Sequence, residues 1–463
     1  MTSTVPLVPG LPLVGSLFAF RRDRLALQAE AATLGPIARF ELGPIRVHVV
    51  TDADLAHEVL VDQADKFKKS RALQYLIPVL GDGLLTAEGE THKRHRKLLA
   101  PAFAPKRLSA YGDVMVGETV KQVERWHGQQ VDLASEMMEM TLAIAGQTLF
   151  SADVRGDART VSVGLEMAMR ALVANLMSPV QLGYRWPLPR HLRMRRAVKM
   201  LDEVVYRLIA AGRANGTDRG DVLSMLLLAR DEDGSGLADK QVRDEVMTLL
   251  LAGHETTANA LTWAWYELGN HPLALARLES EIDALGDRPV TADDLPSLPW
   301  TLAVLEEAMR LHPPVYNTGR QALVPVVIGG HRLPADSIVA VNIRGLHRRA
   351  DYYPAPLSFA PERMLPDVKK TRPRHHYLPF GGGPRVCIGA HFALLEGQLA
   401  LATMVQRATI RPIPRHVEPE PLVTLRPRGG LPAIVSPRTG RAARAPGDRT
   451  TAPVPTRETG SRR

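Results

Sequence analysis

The chain has 463 residues, of which 45% are hydrophobic and 23% are charged, an ordinary composition for a globular protein with a large core. Its formal net charge is +9, but the segment 437–463 holds seven Arg against Asp448 and Glu458 and so accounts for +5 of that charge. Because the remaining residues are only mildly basic, and no zinc-finger spacing or RNA-binding aromatic motif accompanies them, the sequence argues against nucleic acid as a partner.

The organisation of the chain follows from what it lacks. It has one cysteine, so no intrachain disulfide can form, which is typical of a reducing compartment. No uninterrupted run of about 18 apolar residues occurs, and the N-terminus lacks the basic start of a signal peptide. We therefore expect a cytoplasmic protein without a transmembrane anchor. We divide it into a proline-rich lead-in with a first helix (1–34), one large domain (35–436) and a basic, disordered tail (437–463).

The first hundred residues predict short elements. A helix is expected over 24–33, a β-hairpin over 38–50 that turns at Gly43 and Pro44, and a short capped helix over 52–60. The segment 67–90 has no sustained hydrophobic period and is predicted to be a loop.

A basic helix is expected to follow, from about Glu90 to Phe103. His92 and Arg96 are four residues apart and share one face of it, whereas three basic residues point elsewhere: Lys93, Arg94 and Lys97. On its own, such a basic face is most often simply solvated.

The next part of the chain, residues 131–200, has a helical pattern with breaks. Its segment 184–196 is predicted to be a basic turn region that also carries several apolar side chains. We interpret it as a mobile lid over the entrance to a site, with contact to a membrane surface as the alternative.

A long helix is predicted over 239–270, where His271 and Pro272 end it. At 1.5 Å per residue it would be about 48 Å long, enough to cross a whole domain. Its middle reads Ala252-Gly-His-Glu255-Thr256-Thr, and glycine and paired threonines are poor helix formers, so a functional or packing reason is expected. Small side chains leave room for a ligand, and Glu255 and Thr256 could carry protons; a threonine that only bonds back to a carbonyl is the alternative.

The chain after this helix is predicted to contain a helix over 302–311, strands over 323–328 and 337–341, and a final hairpin over 422–431. Pro325 places the first strand at a sheet edge. Glu307 and Arg310 are one helical turn apart, a spacing that is common in exposed ion pairs.

The most informative stretch is Phe380-Gly-Gly-Gly-Pro-Arg385-Val-Cys387-Ile-Gly389, a glycine-rich loop that precedes a predicted helix. A helix N-terminus and the nearby Arg385 favour a thiolate at Cys387. A lone cysteine is more often a small buried hydrophobe, and a nucleophile paired with histidine is the second ordinary possibility. Neither explains the three glycines, the Phe and the Arg.

This loop matches F-G-x-G-x-R-x-C-x-G at every fixed position and resembles the haem-binding loop of cytochrome P450. The resemblance extends to Ala252–Thr257, which is similar to the family's A/G-G-x-E/D-T-T motif, and to Glu307-x-x-Arg310 followed by Pro313 and Pro314. It covers roughly residues 35–435 and implies a mainly α-helical fold with a small β region. It also implies a haem-thiolate monooxygenase, with O2 as co-substrate and NAD(P)H used indirectly through redox partners.

The resemblance also implies roles for individual residues. Cys387 would bind the iron of haem b. Glu255 and Thr256 would be catalytic and guide protons. Further cofactor contacts are implied at His92, Arg96, Ala252, Arg320, Phe380, Arg385 and Gly389. At position 92 the family's motif has Trp where this chain has His, which leaves the geometry of one propionate contact open.

The implied surroundings of the haem complete the expectation. Glu307 and Arg310 would form a structural triad with Arg363. The substrate pocket would be lined by Leu73, Leu76, Ala252, Val315, Tyr316 and Thr318. The partners would be a lipophilic small molecule such as a fatty acid or terpene, and a ferredoxin or flavodoxin with its reductase, docking near Lys93, Arg94 and Lys97 on a monomer. A peroxide-driven peroxygenase and a non-catalytic haem sensor are the alternatives, and the Glu255–Thr256 pair argues against both.

Overall fold

The structure is a computed structural model that describes residues 4–176, 178, 184, 186–230 and 236–438. Most of the predicted tail and part of the predicted basic turn region, including Arg185, lie outside the described residues. The division into 1–34, 35–436 and 437–463 therefore stays a prediction.

Helices dominate the fold, which confirms the expected class. The helices are α1 (Leu17–Arg22), α2 (Arg24–Thr33), α3 (Ala53–His57), α4 (Arg71–Gln74), α5 (Ile77–Leu80), α6 (Gly89–Leu99), α7 (Pro105–Trp126), α8 (Leu133–Phe150), α9 (Ala158–Leu176), α10 (Pro189–Asn215), α11 (Val222–Leu228), α12 (Asp239–Asn270), α13 (Pro272–Asp283), α14 (Pro299–Leu311), α15 (Ile343–Leu346), α16 (Pro366–Thr371) and α17 (Ala390–Arg407). A π-helical turn, Glu58–Asp62, follows α3 directly. Short 3-10 segments lie at Ala64–Lys66, Ala100–Phe103, Arg155–Asp157, Ala292–Ser297, Pro361–Met364 and Gly383–Arg385.

In the part of the chain that the structure describes, strands form four small sheets. They are β1 (Ile37–Leu42), β2 (Ile45–Val50), β3 (Phe67–Lys69), β4 (Gln129–Asp132), β5 (Thr318–Ala322), β6 (Val326–Ile328), β7 (His331–Leu333), β8 (Ile338–Val341), β9 (Ala408–Pro412), β10 (Pro419–Pro421), β11 (Leu425–Pro427) and β12 (Pro432–Pro437). One sheet has the order β1-β2-β8-β5-β3, a second has the order β4-β12-β9, and β10–β11 and β6–β7 are separate pairs. Only β2 and β8 among these neighbours run parallel.

The long helix α12 runs through the core and has the predicted bounds. It packs against α8, α10, α14 and α17, and residues on every face of it are buried. Its N-terminus is closed by the side chain of Gln241, which accepts a hydrogen bond from the Ala238 N–H at 3.2 Å, and Pro272 opens the next helix. Because side chains on every face are buried, polar and charged ones among them, the helix lies inside the core and not at its surface.

Several other predicted elements are confirmed. The helix over 24–33 and the hairpin over 38–50 are present, and the hairpin turns at Gly43, whose φ is +61°. Asp52 caps α3 by accepting hydrogen bonds from the N–H groups of Asp54 and Leu55 at 3.0 and 3.2 Å.

The loop predicted over 67–90 is only partly a loop, because it contains β3, α4 and α5. Tertiary contacts order it. Asp244 and Glu245 of α12 accept hydrogen bonds from the N–H groups of Asp82 and Leu84 at 2.9 and 3.1 Å. A Cβ on Gly81 would lie 2.0 Å from the Asp244 carboxyl group, so a glycine is needed at that approach. These contacts link residues far apart in the chain, and the local pattern carries no sign of them.

Three further predictions are wrong in position. The basic region at 184–196 is helical from Pro189 onward, as part of α10. The strand expected over 323–328 begins only at Val326, after Pro325, and β5 before it was missed. The final hairpin consists of β10 and β11, while β12 joins another sheet. Strands of three to six residues depend on their partners for their limits, which explains these shifts.

Candidate active site

Cys387 lies at the end of the glycine-rich loop, three residues before α17. Its backbone N–H donates to the Phe380 carbonyl at 3.0 Å, which closes the loop. Gly383 has a φ of +70°, and a Cβ there would lie 1.9 Å from the Leu60 carbonyl oxygen, so this glycine is required. A Cβ on Gly389 would lie at an ordinary 3.7 Å from Phe103, so no protein neighbour demands glycine at that position.

The side chain of Cys387 is solvent-accessible although it is densely surrounded by protein, so it faces an interior cleft. This burial raises the pKa of the thiol, while the Gly389 N–H and the Arg96 charge lower it. In the haem-free protein, desolvation thus opposes the thiolate form, which the two local effects favour.

The middle of α12 provides a second accessible position within the core. Ala252 is exposed although its neighbours Leu251 and His254 are buried. The Thr256 hydroxyl, one turn further on, donates to the Ala252 carbonyl at 2.9 Å. This back-bonding holds the hydroxyl beside the accessible alanine.

Glu255, next to Thr256, is directed to a different set of partners. Its carboxylate is 2% exposed and its Oε1 accepts hydrogen bonds from Arg426 Nε, at 2.7 Å, and from the Thr424 hydroxyl. Both donors come from the C-terminal hairpin segment, which consists of β10, β11 and the residues between them. Glu255 and Thr256, the predicted proton carriers, are thus adjacent in sequence but form hydrogen bonds with different partners.

A cluster of basic side chains lies beside the cysteine loop. Arg96 donates to the Val386 carbonyl at 2.8 Å, Arg385 donates to the Phe67 carbonyl at 3.0 Å, and Arg320 donates to the Thr318 hydroxyl at 3.0 Å. His92 is 8% exposed on the inner face of α6. The structure thus brings together the four basic residues that were expected to share a site.

Lys69 belongs to the same cluster, and the sequence did not reveal it. It is 6% exposed and donates to the carbonyls of Leu84 and Ala87 at 3.0 and 2.6 Å. Glu88 supplies a carboxylate, which lies 2.9 Å from Arg385. In the strand β3, Phe67 and Lys69 are buried and Lys68 is partly exposed. A predicted strand would have placed Lys69 on the same inward face as Phe67, and that was the only signal available.

The pKa values in this cluster are those of crowded, buried cations. Burial lowers the pKa of Lys69 to about 8. Burial, with the charges of Lys69, Arg385 and Arg96, lowers the pKa of His92 to about 4. Burial and the neighbouring Arg385 lower the pKa of Arg320 to about 10. The cluster therefore carries more positive charge than Glu88 balances, and it suits an anionic ligand.

Comparison with known proteins shows what these features have in common. The Cytochrome P450 family matches residues 5–431 of the chain. The chain belongs to the cytochrome P450 family. Cyclooctatin synthase from Streptomyces melanosporofaciens is 37% identical over 93% of this chain and 95% of its own. Pentalenene oxygenase from Streptomyces avermitilis is 34% identical over 90% of this chain and 94% of its own.

A solved structure agrees with these sequence relatives. The crystal structure of the cytochrome P450DA heme domain superposes with a TM-score of 0.84 at 27% identity, covering 95% of this chain and 98% of that one. The protein is therefore a cytochrome P450 monooxygenase, and membership of the family implies haem. Across the ranges that the structure describes, no helix is long and apolar enough to cross a membrane.

The residues of this cytochrome P450 fit a haem. Cys387 presents its sulfur to an interior cleft. The basic cluster beside it has a net positive charge, which complements the two negative charges of the haem propionates. When haem is bound, Cys387 would ligate the iron, and His92, Arg96, Arg320 and Arg385 with Lys69 would hold the propionates. Iron coordination also favours the thiolate form that burial opposes.

The proposed structural triad of the cytochrome P450 is assembled in space. Glu307 and Arg310 are 0% exposed and paired by two hydrogen bonds, at 2.7 and 2.8 Å. Arg363 Nε lies 3.5 Å from Glu307 Oε1, and the Ala360 N–H donates to the same oxygen at 3.0 Å. These contacts tie α14 to the segment that precedes the cysteine loop.

The predicted pocket residues fall into different environments. Val315 is 37% exposed, whereas Tyr316 is buried and its hydroxyl donates to the Leu422 carbonyl at 3.0 Å. Thr318 is engaged by Arg320, and Leu73 and Leu76 pack at the edge of the main core. Tyr316 thus anchors the C-terminal hairpin segment in the structure, and the lining of the pocket by these residues stays a prediction.

Glu396 of α17 is a buried acid that sequence reasoning missed. It is 0% exposed, and neither carboxyl oxygen makes a hydrogen bond of ordinary geometry with a described residue, although the Thr257 hydroxyl is nearby. Burial raises the pKa of Glu396 well above its ordinary value, with the nearby Thr257 hydroxyl acting in the opposite direction. Burial therefore favours the neutral form of this acid, which lies between the cysteine helix and α12.

Proposed function

We propose that this cytochrome P450 inserts one oxygen atom of O2 into a terpene, by hydroxylation or epoxidation, with electrons from a separate ferredoxin or flavodoxin. The observation that carries the substrate class is the group of relatives. Those matched over nine-tenths of this chain include cyclooctatin synthase, cyclooctat-9-en-7-ol 5-monooxygenase and pentalenene oxygenase, at 34–37% identity. Among the substrate classes that the sequence left open, they favour terpenes over fatty acids.

The chemistry divides between the haem and the chain. Haem b held through Cys387 supplies oxygen activation, and a thiolate ligand favours cleavage of the O–O bond. The chain's own residues position and protonate. Thr256, held on the Ala252 carbonyl, keeps a hydroxyl at the accessible face of α12, and Glu255 one residue earlier is the acid that would exchange protons with it.

An exposed basic face of α6 supports docking of an acidic redox protein. Lys93, Arg94 and Lys97 are exposed on α6, whose opposite face carries His92 toward the haem cluster. Exposed cations of this kind steer an acidic partner and raise its association rate. The Lys97→Glu variant should lower the rate of first electron transfer from ferredoxin several-fold at low salt, while Arg46→Glu, an exposed change on β2, should not. A cytoplasmic location and a monomeric state stay predictions.

The test begins with the ferrous–carbon monoxide difference spectrum of the wild type and of Cys387→Ser. A strongly red-shifted Soret band that the variant loses supports thiolate ligation. A band typical of histidine ligation in both proteins contradicts it.

Substrate class is then tested by spin-state shift and by turnover. Cyclic sesquiterpene and diterpene hydrocarbons should shift the spin state and be oxidised with NADPH and redox partners, and medium-chain fatty acids serve as the comparison. Oxidation of fatty acids alone would contradict the terpene assignment. Product formed with hydrogen peroxide but not with NADPH and partners would favour the peroxygenase alternative.

A further inference from the structure

Two histidines from distant parts of the chain meet near the cysteine loop and take no part in the site described above. His57 is the last residue of α3, and His375 lies in the segment between α16 and the cysteine loop. His57 Nδ1 and His375 Nε2 are 3.0 Å apart, and the planes of the two rings are tilted by 43°. Both side chains are partly exposed, so two ring nitrogens are held together at a position that solvent reaches.

A π-helical turn gives His57 a carboxylate neighbour. Along an α-helix, residues five apart are separated by about 1.4 turns and point to different sides. His57 is instead followed by the π-helical turn Glu58–Asp62, and Asp62 Oδ1 lies 3.1 Å from His57 Nε2. The carboxylate favours the tautomer that carries its proton on Nε2, so Nδ1 presents its lone pair toward His375.

This arrangement resembles that of a metal-binding histidine. A histidine that ligates a metal usually donates its other ring N–H to a carboxylate, which fixes the ring and its tautomer. Zn²⁺ binds imidazole nitrogens at about 2.0–2.1 Å, so two such nitrogens on a tetrahedral ion are about 3.3 Å apart. The observed separation of 3.0 Å therefore needs only a small opening of the pair. His375 offers its Nε2 lone pair when its own proton is on Nδ1.

The charges around the pair favour a cation. The groups that act most strongly on the charge of His375 are His57, Arg374, Asp62 and Asp54. Two carboxylates thus face the pair against one guanidinium. Burial lowers the pKa of His375, and the charges of His57 and Arg374 act in the same direction. The His375 ring is therefore neutral at neutral pH, which is the form that binds a metal.

Two ligating nitrogens are in place, and a third ligand is close in sequence. Among the described residues, no three His, Cys, Asp or Glu side chains are already assembled as a metal-binding group. Asp54 lies three residues before His57 on α3, so the two side chains share a helix face. The Asp54 carboxylate is exposed and forms no hydrogen bond or ion pair with a described residue. Rotation of this side chain, together with one water, would complete four-coordination.

We propose that His57 and His375 form a site for a divalent transition-metal ion such as Zn²⁺, with Asp54 as the third ligand and Asp62 as the carboxylate that orients His57. Imidazole and carboxylate ligands suit such an ion. This site is separate from the haem and does not depend on the substrate of the enzyme.

The ion would join α3 to the segment that leads into the cysteine loop. The π-helical turn after His57 already supports that loop, because the Leu60 carbonyl lies where a Cβ on Gly383 would be. Leu60 also packs with Leu378, three residues after His375, in one buried cluster. A metal ion bound to the two histidines therefore braces the support of the cysteine loop.

The first measurement is calorimetric titration of the ferric holoenzyme with zinc chloride at neutral pH. The wild type should bind one ion more per chain than His57→Asn or His375→Asn does. Asparagine suits position 375, because it tolerates the left-handed backbone of His375, whose φ is +69°. Asp62→Asn should weaken the binding by about 10–100-fold. His416→Asn is the matched control, since His416 is an exposed histidine between β9 and β10, and it should bind like the wild type.

The second measurement is thermal unfolding of the same holoenzymes with and without zinc chloride. An ion that binds only the folded protein raises the unfolding midpoint. Zinc should therefore raise the midpoint of the wild type and of His416→Asn, and leave those of the two histidine variants unchanged. A pair that is only hydrogen-bonded would lose stability on substitution but would show no such dependence on zinc.

Two results would overturn the proposal. One is the absence of zinc binding by the wild type. The other is equal binding by the wild type and the histidine variants, which would show an adventitious ion only. If His57→Asn fails to bind haem, His375→Asn and Asp54→Asn carry the comparison, because both positions lie at the surface, and unchanged zinc binding in both would count against the site.

Discussion

The two sides of the active site differ in how far apart in the sequence their contacting residues lie. On the cysteine side, Phe380, Gly383 and Cys387 lie within eight positions, and one backbone hydrogen bond closes the loop. On the α12 side, Glu255 meets Arg426 and Thr424 from a segment near the end of the described chain. The cysteine loop is therefore built locally, whereas the surroundings of the predicted proton carrier Glu255 depend on tertiary packing. A motif can thus predict an iron ligand and still omit the residues that bind the predicted proton carrier.

The largest expected effect is on stability, and it tests the buried ion pair that supports the cysteine loop. Glu307→Gln leaves Arg310 fully buried without its counterion, and breaking a buried ion pair costs about 3–5 kcal/mol. We expect a loss of that size in the free energy of unfolding, measured by denaturant titration of the holoenzyme. Glu362→Gln, which breaks the exposed pair with Arg277 at 3.6 Å, is the control and should leave the midpoint near that of the wild type. Equal effects in the two variants would deny the triad its structural role.

The next effect tests how tightly the loop itself is determined. Gly383→Ala places a Cβ against the Leu60 carbonyl at a φ of +70° and should cost about 2–3 kcal/mol through strain and displacement. Gly389→Ala meets only an ordinary 3.7 Å contact and should leave the stability of the haem-free protein nearly unchanged. Thermal unfolding of both variants gives the comparison. A Gly389→Ala variant that is stable but binds haem weakly would indicate that the haem, rather than the protein, requires the glycine.

Lys69 gives the basic cluster a pH dependence of known sign. Its pKa is lowered to about 8 from 10.5, so the folded protein without an anion releases this proton first as the pH rises. Haem propionates would favour the charged lysine. Haem affinity should therefore fall as the pH rises above about 8, by up to about tenfold per pH unit, and the slope should be lost in Lys69→Met.

Haem transfer to apomyoglobin measures this affinity. Lys68→Met is the control, since Lys68 is the more exposed neighbour on the same strand. A slope that persists in Lys69→Met would remove Lys69 from the propionate site.

The smallest expected effect concerns Glu396, the buried acid between α17 and α12. Because burial raises the pKa of Glu396 in the folded protein, the unfolded chain releases this proton at a lower pH than the folded protein does, starting near the ordinary value of 4.5. Stability that this group contributes is thus fully present at low pH and declines as the pH rises. Glu396→Gln, which resembles the neutral acid, should flatten the curve of stability against pH and gain on the order of 1 kcal/mol at pH 7 relative to the wild type. Parallel curves for the two proteins would mean that Glu396 is ionised in the folded state.

The sequence by itself determined the family, the helical class, the limits of α12 and the place of Cys387. These follow from local physics, since hydrophobic period, capping residues, Pro272 and obligate glycines act within a few residues. The basic cluster was partly predicted because His92 and Arg96 share one helix turn and Arg385 lies in the loop. Lys69 was missed because an inward lysine on a three-residue strand has no local sign.

Only the tertiary structure decided the rest. The limits of β5, β6, β10 and β11 depend on strand partners, and the ordering of residues 67–90 depends on Asp244 and Glu245 of α12. The ionisation of the Cys387 thiol also depends on the fold, because desolvation, which opposes the local effects, is set by everything that surrounds the sulfur. The pairing of Glu255 with Arg426 was decided in the same way, because burial and long-range contact are properties of the folded chain and not of any one segment.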